Sequence, residues 1–79
     1  MRKEKYIFRC KEQGEKMWIS EEIYASTLHE ACSLLANKWI LTYGVGTVYL
    51  WVISITHNGS VIYYGPKRMN DILFELNSK

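Results

Sequence analysis

Two imidazoles and two thiols are the side chains here best suited to acid–base or covalent chemistry: His29, His57, Cys10 and Cys32. Pattern decides whether such groups act together. A metal ion needs ligands at short, fixed separations, as in C-x-x-C or H-E-x-x-H, and no such pattern and no calcium-loop pattern occurs. A nucleophilic cysteine needs a cation beside it to favour the thiolate, and neither cysteine has one placed on its own face. Cys10 and Cys32 therefore read as buried thiols, one entering the core from a strand and one from a helix. His57 flanks a turn and His29 lies on a polar helix face, so both read as solvated. Glu21 and Glu22 are adjacent in a strand and point to opposite faces, so they cannot share a proton. Tyr43-Gly44-Val45-Gly46-Thr47-Val48 is only a G-x-G, and it follows a helix where a nucleotide fold needs it to follow a strand. The charges of Pro66-Lys67-Arg68 read as a solvated loop or first helical turn. The expectation is a protein that is not an enzyme, with no metal and no cofactor.

Two groups of side chains suit binding instead. On the outer face of an N-terminal hairpin, Lys5, Ile7, Arg9, Lys11, Trp18 and Tyr24 interleave cations with rings. A sheet that presents stackable rings beside phosphate-binding cations suits single-stranded nucleic acid. Glu22 on the same face, and a net charge of only +2, oppose that reading. The second group is Tyr49, Trp51, Tyr63 and Tyr64 on a C-terminal hairpin, residue types that dominate protein–protein contacts. They lie in a 28-residue stretch, Trp39 to Pro66, that has no Asp, Glu, Lys or Arg. Its last strand, Ser60 to Gly65, reads as an uncharged sheet edge open to another strand or a second copy.

The elements that must position these groups follow from periodicity. Tyr6, Phe8 and Cys10 alternate with Lys5, Ile7, Arg9 and Lys11, and Gln13-Gly14 supplies a turn. A two-residue turn would pair Cys10 with Met17 and Phe8 with Ile19, place Met17, Ile19 and Ile23 on the core face, and set Arg9 opposite Trp18. Thr27 and Glu30 form a T-x-x-E capping box. Leu28, Ala31, Cys32, Leu35, Trp39, Ile40 and Tyr43 form a helical apolar stripe that ends at Gly44. Asn58-Gly59 is the preferred pair for a second hairpin, expected to join Ile55 to Ile62 and Ile53 to Tyr64. Both faces of that hairpin are apolar, which suits a central strand covered on both sides. Met69, Ile72, Leu73 and Leu76 space a short last helix, with Pro66 in its first turn.

These parts add to one α+β domain spanning residues 1–79: β-β-α-β-β-α, a four-stranded antiparallel sheet in the order 2-1-3-4. The long helix is expected on one face and the short C-terminal helix over part of the other. Few cysteines, no apolar leader and no run of about 20 apolar residues indicate a cytoplasmic chain without membrane attachment. Small non-catalytic chains of this kind suit a protein-binding module, such as a phage or mobile-element inhibitor that occupies a surface on a host nuclease or defence complex. A homodimer through the neutral hairpin is a companion expectation. A single-stranded nucleic-acid-binding module is the alternative.

Overall fold

The computed structural model describes residues 2–78. Strands β1 (Glu4–Glu12) and β2 (Ile19–Ala25) lead into helix α1 (Leu28–Tyr43). Strands β3 (Leu50–His57) and β4 (Ser60–Arg68) lead into helix α2 (Met69–Asn77). The sheet is antiparallel throughout, in the order β2-β1-β3-β4, as the sequence predicts. The molecule is thus two β-β-α units joined through the β1–β3 pair.

Local chemistry explains each boundary. Thr27 Oγ1 accepts from the Glu30 amide at 3.1 Å, and Glu30 Oε1 accepts from the Ser26 amide at 2.6 Å, so the capping box closes one residue early. At the other end of α1, Gly44 adopts φ 70°, and the Gly44 and Val45 amides donate to the Ile40 and Trp39 carbonyls. Asn58 at φ 53° and Gly59 at φ 78° turn the second hairpin in the left-handed geometry that its twist requires.

The first hairpin departs from expectation. The Gln13-Gly14 turn forms, with the Glu15 amide donating to the Glu12 carbonyl at 3.1 Å. Pairing does not resume at once, because Glu15 to Trp18 loop out and Ile19 is the first residue to pair, opposite Cys10. The register moves by two residues. Phe8 faces Glu21, Arg9 faces Ser20, and Met17 is 78% exposed in the loop instead of in the core. A shift of two keeps every paired side chain on its expected face, which is why the alternation pattern did not detect it.

Both helices lie on the same face, against the expectation that they would sit on opposite sides. Buried Tyr6, Phe8, Cys10, Ile23, Ala25, Leu50, Val52 and Ile55 form one cluster with Ala31, Cys32, Leu35, Ala36 and Trp39 of α1 and Met69 and Ile72 of α2. His29 at the start of α1 meets Asn77 at the end of α2, 2.8 Å apart, so the helices run antiparallel side by side. Strand β3 reconciles its two apolar faces with this one-sided cover by a bulge. Cys10 pairs with Val52 but Arg9 with Ser54, which leaves Ile53 as the extra residue. Leu50 and Val52 before it, and Ile55 after it, therefore all face the helices although their spacing breaks alternation. Two further irregularities in β4 fall at Ile62 and at Gly65-Pro66. Pro66 belongs to the strand, and α2 begins only at Met69.

Candidate functional site

With both helices behind the sheet, its other face is uncovered. The strand registers arrange this face in cross-strand rows. Lys5 stands beside Tyr24; Glu22, Ile7, Thr56 and Val61 form the next row; Ser20, Arg9, Ser54 and Tyr64 the third. The fourth crosses Lys11, Trp51 and Arg68, with Trp18 at its β2 end. None of these side chains is buried, and Tyr64 is 74% exposed.

Rings and cations alternate along the fourth row. Lys11 Nζ lies 4.8 Å from the centre of the Trp18 ring, and the Arg68 guanidinium 4.7 Å from that of Trp51. Lys11 also donates to the Glu15 carbonyl at 2.7 Å, and Trp51 Nε1 donates to Gln13 Oε1 at 3.3 Å. Each ring is thus held beside a cation before any ligand arrives, which lowers the ordering entropy of binding. The Gln13 amide donates to the Tyr49 carbonyl at 2.8 Å, extending the β1–β3 register one step and placing Tyr49 at the rim.

Charge is divided between the two sides of the molecule. The open face carries Lys5, Arg9, Lys11 and Arg68 against the single carboxylate of Glu22. The chain has ten Lys and Arg and eight Asp and Glu, so the remaining six cations are outweighed by seven acids. A net charge of +2 therefore conceals a cationic face on a slightly acidic body.

The residues expected to bind nucleic acid come together. Lys5, Arg9, Lys11, Trp18 and Tyr24 share the open face, although Trp18 meets Lys11 and not Arg9. The residues expected to bind protein do not form one surface. Trp51 and Tyr64 join the open face, and Tyr49 its rim. Tyr63 pairs with Ile55 on the helix side, packs on the core, and donates to Glu75 of α2 at 3.5 Å. The edge itself is less regular than a plain uncharged strand. Two bulges, Pro66, Lys67 and Arg68 interrupt it, all features that discourage edge pairing. Sequence reading missed Arg68 because it ended the strand before Pro66. A strand continued through Pro66-Lys67-Arg68 in the expected register would have set Arg68 opposite Tyr49; the two bulges bring it to Trp51.

The candidate chemical groups are occupied structurally. Cys10 and Cys32 are fully buried free thiols, and burial pushes the pKa of each up to about 12. His57 is not solvated as expected: Nε2 lies 2.7 Å from Glu4 Oε1, and its ring stacks on Tyr6 with centroids 4.4 Å apart. Glu21, only 8% exposed, accepts from Lys38 Nζ at 2.7 Å and from Trp39 Nε1 at 3.0 Å. Among the described residues no group of three or more His, Cys, Asp and Glu could hold a metal ion. No described helix is long and apolar enough to cross a membrane.

The fold and this face define an α+β sheet protein with one covered and one open side. No protein-family model, no curated protein and no solved structure matches the chain.

Proposed function

We propose that this protein is a non-catalytic binding module whose open sheet face takes single-stranded nucleic acid. The observation that carries the reading is the concentration of Trp18, Tyr24, Trp51 and Tyr64 with Lys5, Arg9, Lys11 and Arg68 on one uncovered face. Rings accept unstacked bases, and the cations beside them neutralise the phosphates that follow. A duplex hides its base faces and cannot use the rings. The chain's small net charge is compatible with this function because the cations are segregated.

The test is titration with fluorescently labelled oligo-dT and oligo-U, with a duplex of equal length as control. Stacking contributes about 1–3 kcal/mol per base, so Trp51→Ala weakens single-strand binding by about 5- to 150-fold. Equal affinity for duplex and single strand, or an unchanged Kd in Trp51→Ala, would overturn the reading.

A second reading rests on a separate observation. Leu41 is 85% and Phe74 72% exposed, on the two helices away from the sheet. Exposed apolar residues of this size suit a protein surface, and stoichiometric occupation of a partner complex would use them. Under that reading Leu41→Glu disrupts a complex that survives nuclease, and Trp51→Ala leaves it intact.

A further inference from the structure

A cleft of about 300 Å³ opens at the end of the sheet, between the β1–β2 loop and the C-terminal turns of α1. Its lining combines Trp39 and Tyr43 of α1, Met17 and Ile19 of the first hairpin, and Glu12 and Glu15 at the loop. The two rings meet edge-to-face, 4.9 Å apart at 66°. Trp39 is locked by the bond from its Nε1 to buried Glu21, so its wall of the cleft is preformed.

Two features make the cleft acidic on balance. Two carboxylates stand at it. Lys11 also lines it and offsets one of them, its ammonium held by the Glu15 carbonyl and the Trp18 ring. The cleft also abuts the negative end of α1, whose last turn contains no basic residue. Aromatic faces beside carboxylates attract an organic cation, through the ring quadrupole and direct charge pairing. Met17 and Ile19 in its lining suit an alkyl stem.

We propose that this cleft receives the side chain of an arginine presented by a partner protein. Arginine fits better than a compact ammonium ion, because its plane stacks on a ring while its fork reaches a carboxylate. The cleft borders the nucleic-acid face at Lys11, and the proposal does not depend on that assignment.

The experiment uses the whole protein labelled with ¹⁵N, titrated with a short peptide carrying one central arginine flanked by glycine and serine, blocked at both ends. The matched peptide carries citrulline, which keeps the shape and removes the charge. The expected result is a saturable shift of the Trp39 indole N–H and of the amides of residues 15–19. Citrulline should weaken it at least tenfold, and so should the Glu12→Gln, Glu15→Gln double variant, whose unchanged spectrum elsewhere reports an intact fold. Guanidinium chloride at the same low concentration separates the sources: equal binding of the free ion would show a site for small cations and overturn the side-chain assignment. Equal shifts with arginine and citrulline, shifts confined to the open sheet face, or no shift at millimolar peptide would overturn the proposal outright.

Discussion

Glu21 shows how much one residue can organise. It is a carboxylate on the core face of β2, and it is tolerated because Lys38 and Trp39 supply a donor to each oxygen. Lys38 reaches solvent, so removing the carboxylate strands mainly the Trp39 indole N–H. Glu21→Ala should therefore lower stability by about 1–3 kcal/mol, measured by urea unfolding. The two thiols give a pH prediction. Their folded pKa of about 12 lies above the ordinary value of 9.0. Below pH 9 both states hold the protons and the thiols contribute no pH dependence. As pH rises from about 9 toward 12, the unfolded chain releases them first, so stability falls by up to about 1.4 kcal/mol per pH unit for each thiol. Urea unfolding at stepped alkaline pH should show this slope, and replacing both cysteines with alanine should make it shallower. Burial of the thiols was legible in the sequence; the role of Glu21 was not. Glu21 reads as half of an acidic pair, and only the Trp39 contact, 18 residues away, reveals why it is buried.

Elements were legible where a local motif names its own geometry. Asn58-Gly59 and the Thr27–Glu30 box did so, and the strand order followed from the chain of antiparallel neighbours. The bulges were not legible. Ile53 is an ordinary strand residue, and its role as the extra residue exists only in pairing with β1. Without it, the two apolar faces of β3 suggested cover on both sides, and the open face was underestimated. Gly65 is the bulge position with the sharpest requirement. A Cβ there would collide with the Val52 carbonyl oxygen and the Lys67 amide nitrogen, both backbone atoms that cannot swing aside. Gly65→Ala should cost more than the roughly 1 kcal/mol typical of point substitutions and shift the β4 register. Thermal unfolding and the amide shifts of Lys67 and Arg68 would report both.

At the scale of the molecule, the division of charge sets the salt response. Up to four phosphates can be neutralised by Lys5, Arg9, Lys11 and Arg68. For single strands that gives a slope of log K against log salt of about −3, and Arg9→Ala should reduce its magnitude by about 0.7. A slope near zero would mean that these cations do not meet phosphate. The same division also governs how two molecules first meet. A cationic face on a weakly acidic body gives the protein an electrical orientation, so near a polyanion it turns before it touches. Fewer collisions are wasted on the helical side, and encounter becomes fast at low ionic strength even though the whole chain is almost neutral.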